Sequence, residues 1–199
     1  ISGVLADGKT FRTYSPNYHE TYCRICPGGF NCPVSATHTP ILCPEGSYCP
    51  NGTVNPFKCP PGTYSAIAGI SLLSHCTACP PGMFCSKAGI TQPTGACHAG
   101  YYCNSSAVSP VQAAVSSTGG ICPEGHYCPK GSEAPFKCPL GTFMATTMND
   151  GNVTYNDVNY HCALCTSGNA CPSLGLTSPA TSCAAGHWCK IGAPSATPI

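Results

Sequence analysis

The chain has 199 residues, among them 19 Cys, 22 Gly and 21 Pro, while only 8% are charged and the formal net charge is +1. A cysteine density near one in ten is that of disulfide scaffolds, which form outside the reducing cytosol and replace a large apolar core with covalent staples. The weak charge offers no footprint for nucleic acid or anionic lipid, and the longest apolar stretch, Ala66 to Leu73, is far short of the roughly 20 residues that a bilayer span needs.

From the N terminus, GVLADGKTFRTYSPNYHETYC (Gly3 to Cys23) aligns with GTFMATTMNDGNVTYNDVNYHC (Gly141 to Cys162), which puts Gly3 in the glycine slot of a CxxG pattern. A cysteine is therefore expected immediately before Ile1. Cys23 opens a phrase, CxxCxxxxxC, then 10 or 11 residues, then CxxxxxC, that occurs three times. The copies are Cys23, Cys26, Cys32, Cys43, Cys49; then Cys76, Cys79, Cys85, Cys97, Cys103; then Cys162, Cys165, Cys171, Cys183, Cys189. Lone cysteines, Cys59 and Cys138, introduce the second and third copies. Between Cys103 and Cys122 lies NSSAVSPVQAAVSSTGGI, a Ser- and Ala-rich spacer expected to interrupt the stacking of modules. Cys122 and Cys128 follow as half a phrase. The stretch CPEGSYCPNGTVNPFKCPPGTYS, Cys43 to Ser65, returns at Cys122 to Met144 with 15 of 23 positions identical. These boundaries divide the chain into a first module (1–58) with a truncated start, a second (59–103), the spacer (104–121), a partial module (122–137), and a third module with the start of a further link (138–199). The terminal KIGAPSATPI stops where another cysteine is due, so the array has the outline of a longer one.

At nine cysteines the pattern CxxG places Gly29, Gly46, Gly62, Gly82, Gly100, Gly125, Gly141, Gly168 and Gly186 at one offset, and six of the nine read CPxG. Proline second and glycine fourth suit a type I turn, so each cysteine is expected to open a tight turn. The residue just before the last cysteine of each later CxxxxxC is aromatic: Tyr48, Tyr102, Tyr127 and Trp188. These rings define a packing slot over a neighbouring disulfide or the next module, with a ligand-binding aromatic row as the alternative. Helical periodicity is absent, and the short Pro- and Gly-rich intervals predict loops with two-stranded ribbons. The best hairpin candidate is Phe143 to Asn156, turning at Asp150 and Gly151. The fold class is thus small and disulfide-rich, an elongated tandem of cysteine-rich modules with short β-hairpins, no sizeable helix and no single core.

The run from Cys59 to Cys103, with its CPPGTYS and CPPGMFC signatures, resembles the cysteine-rich modules of tumour necrosis factor receptors and the related ephrin-receptor-like repeats. Such repeats occur in receptors, matrix proteins and protist surface or flagellar-hair, mastigoneme-like glycoproteins. The resemblance implies pairing of the first cysteine with the second, the third with the fifth and the fourth with the sixth. Carried over, that gives Cys59–Cys76, Cys79–Cys97 and Cys85–Cys103; Cys138–Cys162, Cys165–Cys183 and Cys171–Cys189; and Cys26–Cys43 with Cys32–Cys49. The receptor spacing differs, with two residues where five precede Cys32, Cys85 and Cys171. Cys122 and Cys128, left without their usual partners, are expected to bond each other across the Pro123 to Gly125 turn. Cys23 remains, unpaired or bonded to a cysteine outside the chain.

The CxxC pairs lack the second CxxC of a zinc ribbon, and His75 and His161 precede their CxxC where haem attachment needs the histidine after it. The Asp150 region lacks the ligand alternation of a calcium loop. No catalytic motif is present, and oxidised thiols leave no cysteine nucleophile. No enzyme activity, metal or cofactor is expected. Three sequons, at Asn51, Asn104 and Asn152, make N-linked glycans the distinctive surface chemistry, and Ser and Thr beside Pro add O-linked ones. The sequence thus leads to a secreted or cell-surface structural glycoprotein, a disulfide-stapled rod building a filament or appendage with copies of itself or other fibre subunits. The alternative is the ligand-binding ectodomain stalk of a receptor.

Overall fold

The computed structural model describes residues 24–35, 37–111, 115–145 and 162–198, and the backbone of strands Ser2–Val4 and Thr10–Tyr14. The fold is a disulfide-rich, loop-rich repeat. No α-helix occurs among the described residues, and one 3-10 turn spans Leu73–His75. A three-stranded sheet joins Ser2–Val4, Thr10–Tyr14 and Arg24–Ile25. Eight two-stranded ribbons follow in chain order, each built from the residues just after a CxxG glycine and those just before the next turn. In the first, Phe30 lies opposite Leu42 and Asn31 opposite Ile41. Ser47–Tyr48 then faces Phe57–Lys58, and Thr63–Tyr64 faces Thr77–Ala78. The strongest departure from minimal length is Tyr101–Cys103 with Gly119–Ile121, three residues each.

The chain forms two compact units, residues 1–80 with 84–95, and 81–83 with 96–199. Each is held by the same repeated backbone connection. In the first unit the N–H of Gly29 donates to the Cys49 carbonyl at 2.8 Å, that of Gly46 to Ser65 at 2.9 Å and that of Gly62 to Cys85 at 2.8 Å. The carbonyls of these glycines accept from the cysteine opening the next turn: Cys43, Cys59 and Cys79, each at 2.9 Å. In the second unit Gly82, Gly100, Gly125, Gly141 and Gly168 donate to Cys103, Cys128, Met144, Cys171 and Cys189 at 2.8 to 3.0 Å. Their carbonyls accept from Cys97, Cys122, Cys138, Cys165 and Cys183 at 2.9 to 3.0 Å. Each of these ladder glycines thus has both polar groups satisfied by the next repeat.

The turn that aims these groups differs from the expected one. The closing bond runs from the residue after Gly to the residue after Cys, as in Ser47 N–H to Pro44 O and Thr142 N–H to Pro139 O, both 3.2 Å. The turn therefore begins one residue later than expected and places glycine third, with φ of +71° at Gly46 and +70° at Gly125. That is the pattern of a type II turn, whose third position requires positive φ. Threonine closes several of these turns twice: the Thr63 and Thr142 hydroxyls donate to the carbonyls of Pro60 and Pro139 at 2.7 Å.

The stretch 104–121 does not interrupt the ladder. Gly119–Ile121 pairs back onto Tyr101–Cys103, and Cys122 still donates to Gly100 at 2.9 Å. The described part of the stretch leaves and returns between ladder contacts, because the ladder bonds at Gly100 and Cys122 are met before and after it. The hairpin expected over 143–156 lies mostly outside the described residues; Phe143 itself pairs with Ala163.

The interior is mainly cystine. In the second unit Cys122, Cys128, Cys138, Met144 and Cys162 form one buried cluster, with Tyr102 and Tyr127 packed against it.

The ladder requires glycine for a second reason. A Cβ at Gly46 would run into the carbonyl of Gly89, and one at Gly125 into that of Gly175. Left-handed backbone costs an L-residue about 1–2 kcal/mol even before such a clash. Gly46→Ala is therefore expected to destabilise by at least about 2 kcal/mol, whereas Glu45→Ala at the exposed neighbouring turn position stays within about 0.5 kcal/mol. Thermal unfolding of the two variants beside the parent measures the difference; equal midpoints would contradict the assignment of the ladder.

Candidate functional site

The sites singled out by sequence are the cystines, the aromatic slot and the sequons, and the turns position all three. A CxxG turn reverses the chain, so the residue six positions after its cysteine returns alongside it. At seven turns that residue is cysteine and the two bond. The bonds are Cys26–Cys32, Cys43–Cys49, Cys79–Cys85, Cys97–Cys103, Cys122–Cys128, Cys165–Cys171 and Cys183–Cys189, with Cα–Cα distances of 5.8 to 6.2 Å. In two turns that position holds Ser65 or Met144, and the opening cysteine bonds forward, as Cys59–Cys76 and Cys138–Cys162.

Six pairings implied by the receptor resemblance are therefore corrected. Cys26–Cys43, Cys32–Cys49, Cys79–Cys97, Cys85–Cys103, Cys165–Cys183 and Cys171–Cys189 do not form, because each member is already bonded within its own turn. The five-residue gap that departs from the receptor spacing is the physical reason: it is the length of a four-residue type II turn and one further residue, after which the chain is back beside the opening cysteine. Short closures also cost the least chain entropy. Cys23 lies outside the described residues.

The replacements at the forward-bonded turns are accommodated differently. Ser65 is buried and its hydroxyl donates to the Ile67 carbonyl at 2.9 Å. Met144 joins the cystine cluster and fills the volume of the absent half-cystine.

Tyr48 stacks on Phe57 across its ribbon with ring centroids 5.5 Å apart, and Tyr127 lies against Phe136 at 5.6 Å. Tyr102 and Tyr127 cover the cluster around Cys122. Trp188 departs from the packing slot and is 77% exposed. No described strand pairs across it, so no facing side chain covers the ring. The slot is also wider than the cysteine phrase suggested: Tyr64, Phe84 and Phe143 occupy the same position, half-buried, one residue past the first strand position of their ribbons. Counting from the glycine reveals Tyr64 and Phe143, whose turns end in Ser65 and Met144, while Phe84 precedes a closing cysteine, Cys85, in the first half of its phrase.

The same counting finds three further CxxG turns, opened by the second cysteine of a bond: Cys49, Cys128 and Cys189. Their glycines, Gly52, Gly131 and Gly192, have φ of +79°, +81° and +74°, and donate to the carbonyls of Cys26, Cys97 and Cys165 at 2.8 to 2.9 Å. The first of these turns carries a sequon. Asn51 stands exposed at its second position, while Thr53 closes it, 4% exposed. Asn104 is half-buried, its side-chain N–H donating to the Ser117 carbonyl at 3.2 Å. Asn152 lies outside the described residues.

Among the described residues no group of three or more His, Cys, Asp or Glu is placed to hold a metal ion. Nor is any helix among them long and apolar enough to cross a membrane.

No family model matches the chain. Over 35 residues it is 54% identical to the ABC-type transporter claG of Penicillium crustosum, a segment covering 18% of this chain and 5% of that protein. The similarity is of one short stretch and leaves nearly all of the transporter without a counterpart here.

The pairing rule has a direct consequence at residue 65. Ser65→Cys supplies the missing partner in the Cys59 turn, so Cys59 is expected to bond the introduced thiol and Cys76 to become free. Alkylation of unreduced protein followed by peptide mass spectrometry reads this; an unchanged Cys59–Cys76 link beside an alkylated thiol at position 65 would overturn the rule. Replacing Cys59 and Cys76 together by Ser should cost about 3 kcal/mol, the loop-entropy value for a closure of this length.

Proposed function

We propose that this chain is a structural extracellular glycoprotein, whose turn-and-cystine repeats build part of a filament or surface appendage together with copies of itself or other fibre subunits. The observation that carries this reading is the ladder: the glycines from Gly29 to Gly168 that aim it are each bonded on both sides to the next repeat, through identical groups at nearly identical distances. A repeat that engages its successor with no contribution from particular side chains is suited to adding length, and its stability rises with the number of repeats. Its many disulfides suit an oxidising environment, where they persist without a reductant. N-linked glycans at the sequons, with O-linked ones on the Ser- and Thr-rich loops, would solubilise a chain with so little charge.

A second reading, the ectodomain of a cell-surface receptor or other membrane protein, draws on two observations. Ile41, Leu42 and Phe57 are about half exposed in the first unit and offer apolar contact to a protein partner. The 35-residue similarity to a small part of a protein named as a transporter is the other support.

Electron microscopy of the material purified from its native source separates the two. The structural reading expects periodic filaments in which antibodies to this chain decorate the repeat. Isolated particles that co-purify with a membrane protein would favour the second reading and overturn the first.

A further inference from the structure

We propose that Asn51 is an N-glycosylation site that accepts its glycan only before its turn folds, so its occupancy records a competition between modification and folding. This rests on reading the chain as a secreted glycoprotein. In the transfer, the Asn51 side-chain nitrogen bonds the anomeric carbon of an oligosaccharide carried on a polyprenyl diphosphate. The bond from that carbon to the diphosphate oxygen breaks, the diphosphate leaves with the electron pair, and the nitrogen loses one proton. The transferase reads the hydroxyl two residues on, here that of Thr53.

In the folded turn that hydroxyl is not readable. It donates to the Pro50 carbonyl at 2.6 Å, and the Thr53 N–H donates to the same carbonyl at 3.2 Å. The Thr53 carbonyl accepts the Cys32 N–H at 2.9 Å, and Gly52 donates to the Cys26 carbonyl at 2.8 Å. The sequon is therefore clamped onto the loop closed by Cys26–Cys32. The clamp belongs to the fold: in the twin segment Lys130 stands in place of Asn51, yet Ser132 makes the same hydroxyl bond to Pro129 at 2.7 Å and is equally buried. Asn51 itself stays exposed, and space is left for it. Its amide lies over Gly28, within 3.0 Å of where a Cβ would stand, and among the CxxG turns only this one has glycine at that position.

The direction of synthesis makes the competition unequal between sites. The loop that clamps Asn51 precedes it in the chain and is made first, so the turn can close as soon as Thr53 follows. Asn104 is held by the carbonyls of Ser117 and Thr118, which are made after it. Its sequon stays open longer.

The test expresses the chain behind a secretory signal in a eukaryotic host and measures occupancy at both asparagines by glycopeptide mass spectrometry on total cell protein, retained and secreted alike. Asn51 is expected to be several-fold less occupied than Asn104 in the parent. A membrane-permeant thiol reductant, or the double variant Cys26→Ser and Cys32→Ser, should raise Asn51 to the level of Asn104. Equal occupancy in the parent, or an Asn51 value that neither treatment moves, overturns the ordering while leaving the chain a glycoprotein. Absence of glycan at both sites under every condition overturns the glycoprotein reading as well.

Discussion

The glycine at the third position of each ladder turn is the constraint on which the rest depends. Its positive φ turns its N–H and its carbonyl toward the following repeat, where they meet the closing residue and the opening cysteine of one and the same turn. A hydrogen bond of this kind contributes about 1 kcal/mol net, too little alone to order a chain that loses comparable entropy at every residue. The cystines supply the difference by restricting the unfolded chain, and they also constitute most of the buried volume. The two devices are coupled through geometry. The turn that aims the glycine is also the turn that brings the cysteines to bonding distance.

This coupling explains which features were legible in the sequence. The repeated frame, the lack of α-helix among the described residues and the ribbons between cysteines follow from Cys, Gly and Pro spacing alone. The Cys122–Cys128 bond was accessible because the spacer isolated those two residues and left the turn as the only geometric argument. Elsewhere the receptor resemblance supplied a pairing, and it carried the wrong geometry: its modules cross-link separate loops, whereas here Cys79 and Cys85 stand at the two ends of one turn. The same argument applied to Cys122 and Cys128 holds at the other turns that end in cysteine. What hid it was the carried-over pairing, which kept Cys59–Cys76 but sent Cys79 and Cys85 to Cys97 and Cys103 instead of to each other.

The aromatic slot shows a related limit. Reading it from the closing cysteine found Tyr48, Tyr102 and Tyr127 but passed over Tyr64 and Phe143, whose turns end in Ser65 and Met144. The ring position is set by the strand that follows the glycine, where it lies opposite the residue two before the cysteine that opens the next turn. Trp188 has the right spacing but no facing strand, and it is exposed. A residue type at a given interval therefore marks a packing position only when the element across from it exists, which no single turn can reveal.

Variation between repeats falls where the ladder permits it. Cys59–Cys76 and Cys138–Cys162 close loops with sequence separations of 17 and 24, yet both have a Cα–Cα distance of 5.8 Å. Loop closure depends only logarithmically on length, so the longer loop costs about 0.3 kcal/mol more, a small fraction of what the bond contributes. The loop after Asn104 is accommodated in the same way, leaving and rejoining between one ladder contact and the next. Register is thus held by the glycine contacts and the nearest cystine, and the intervals between turns are free to change in length, charge and glycosylation without moving the turns themselves. That freedom accounts for a chain whose frame is repeated so closely while the residues between its fixed positions drift.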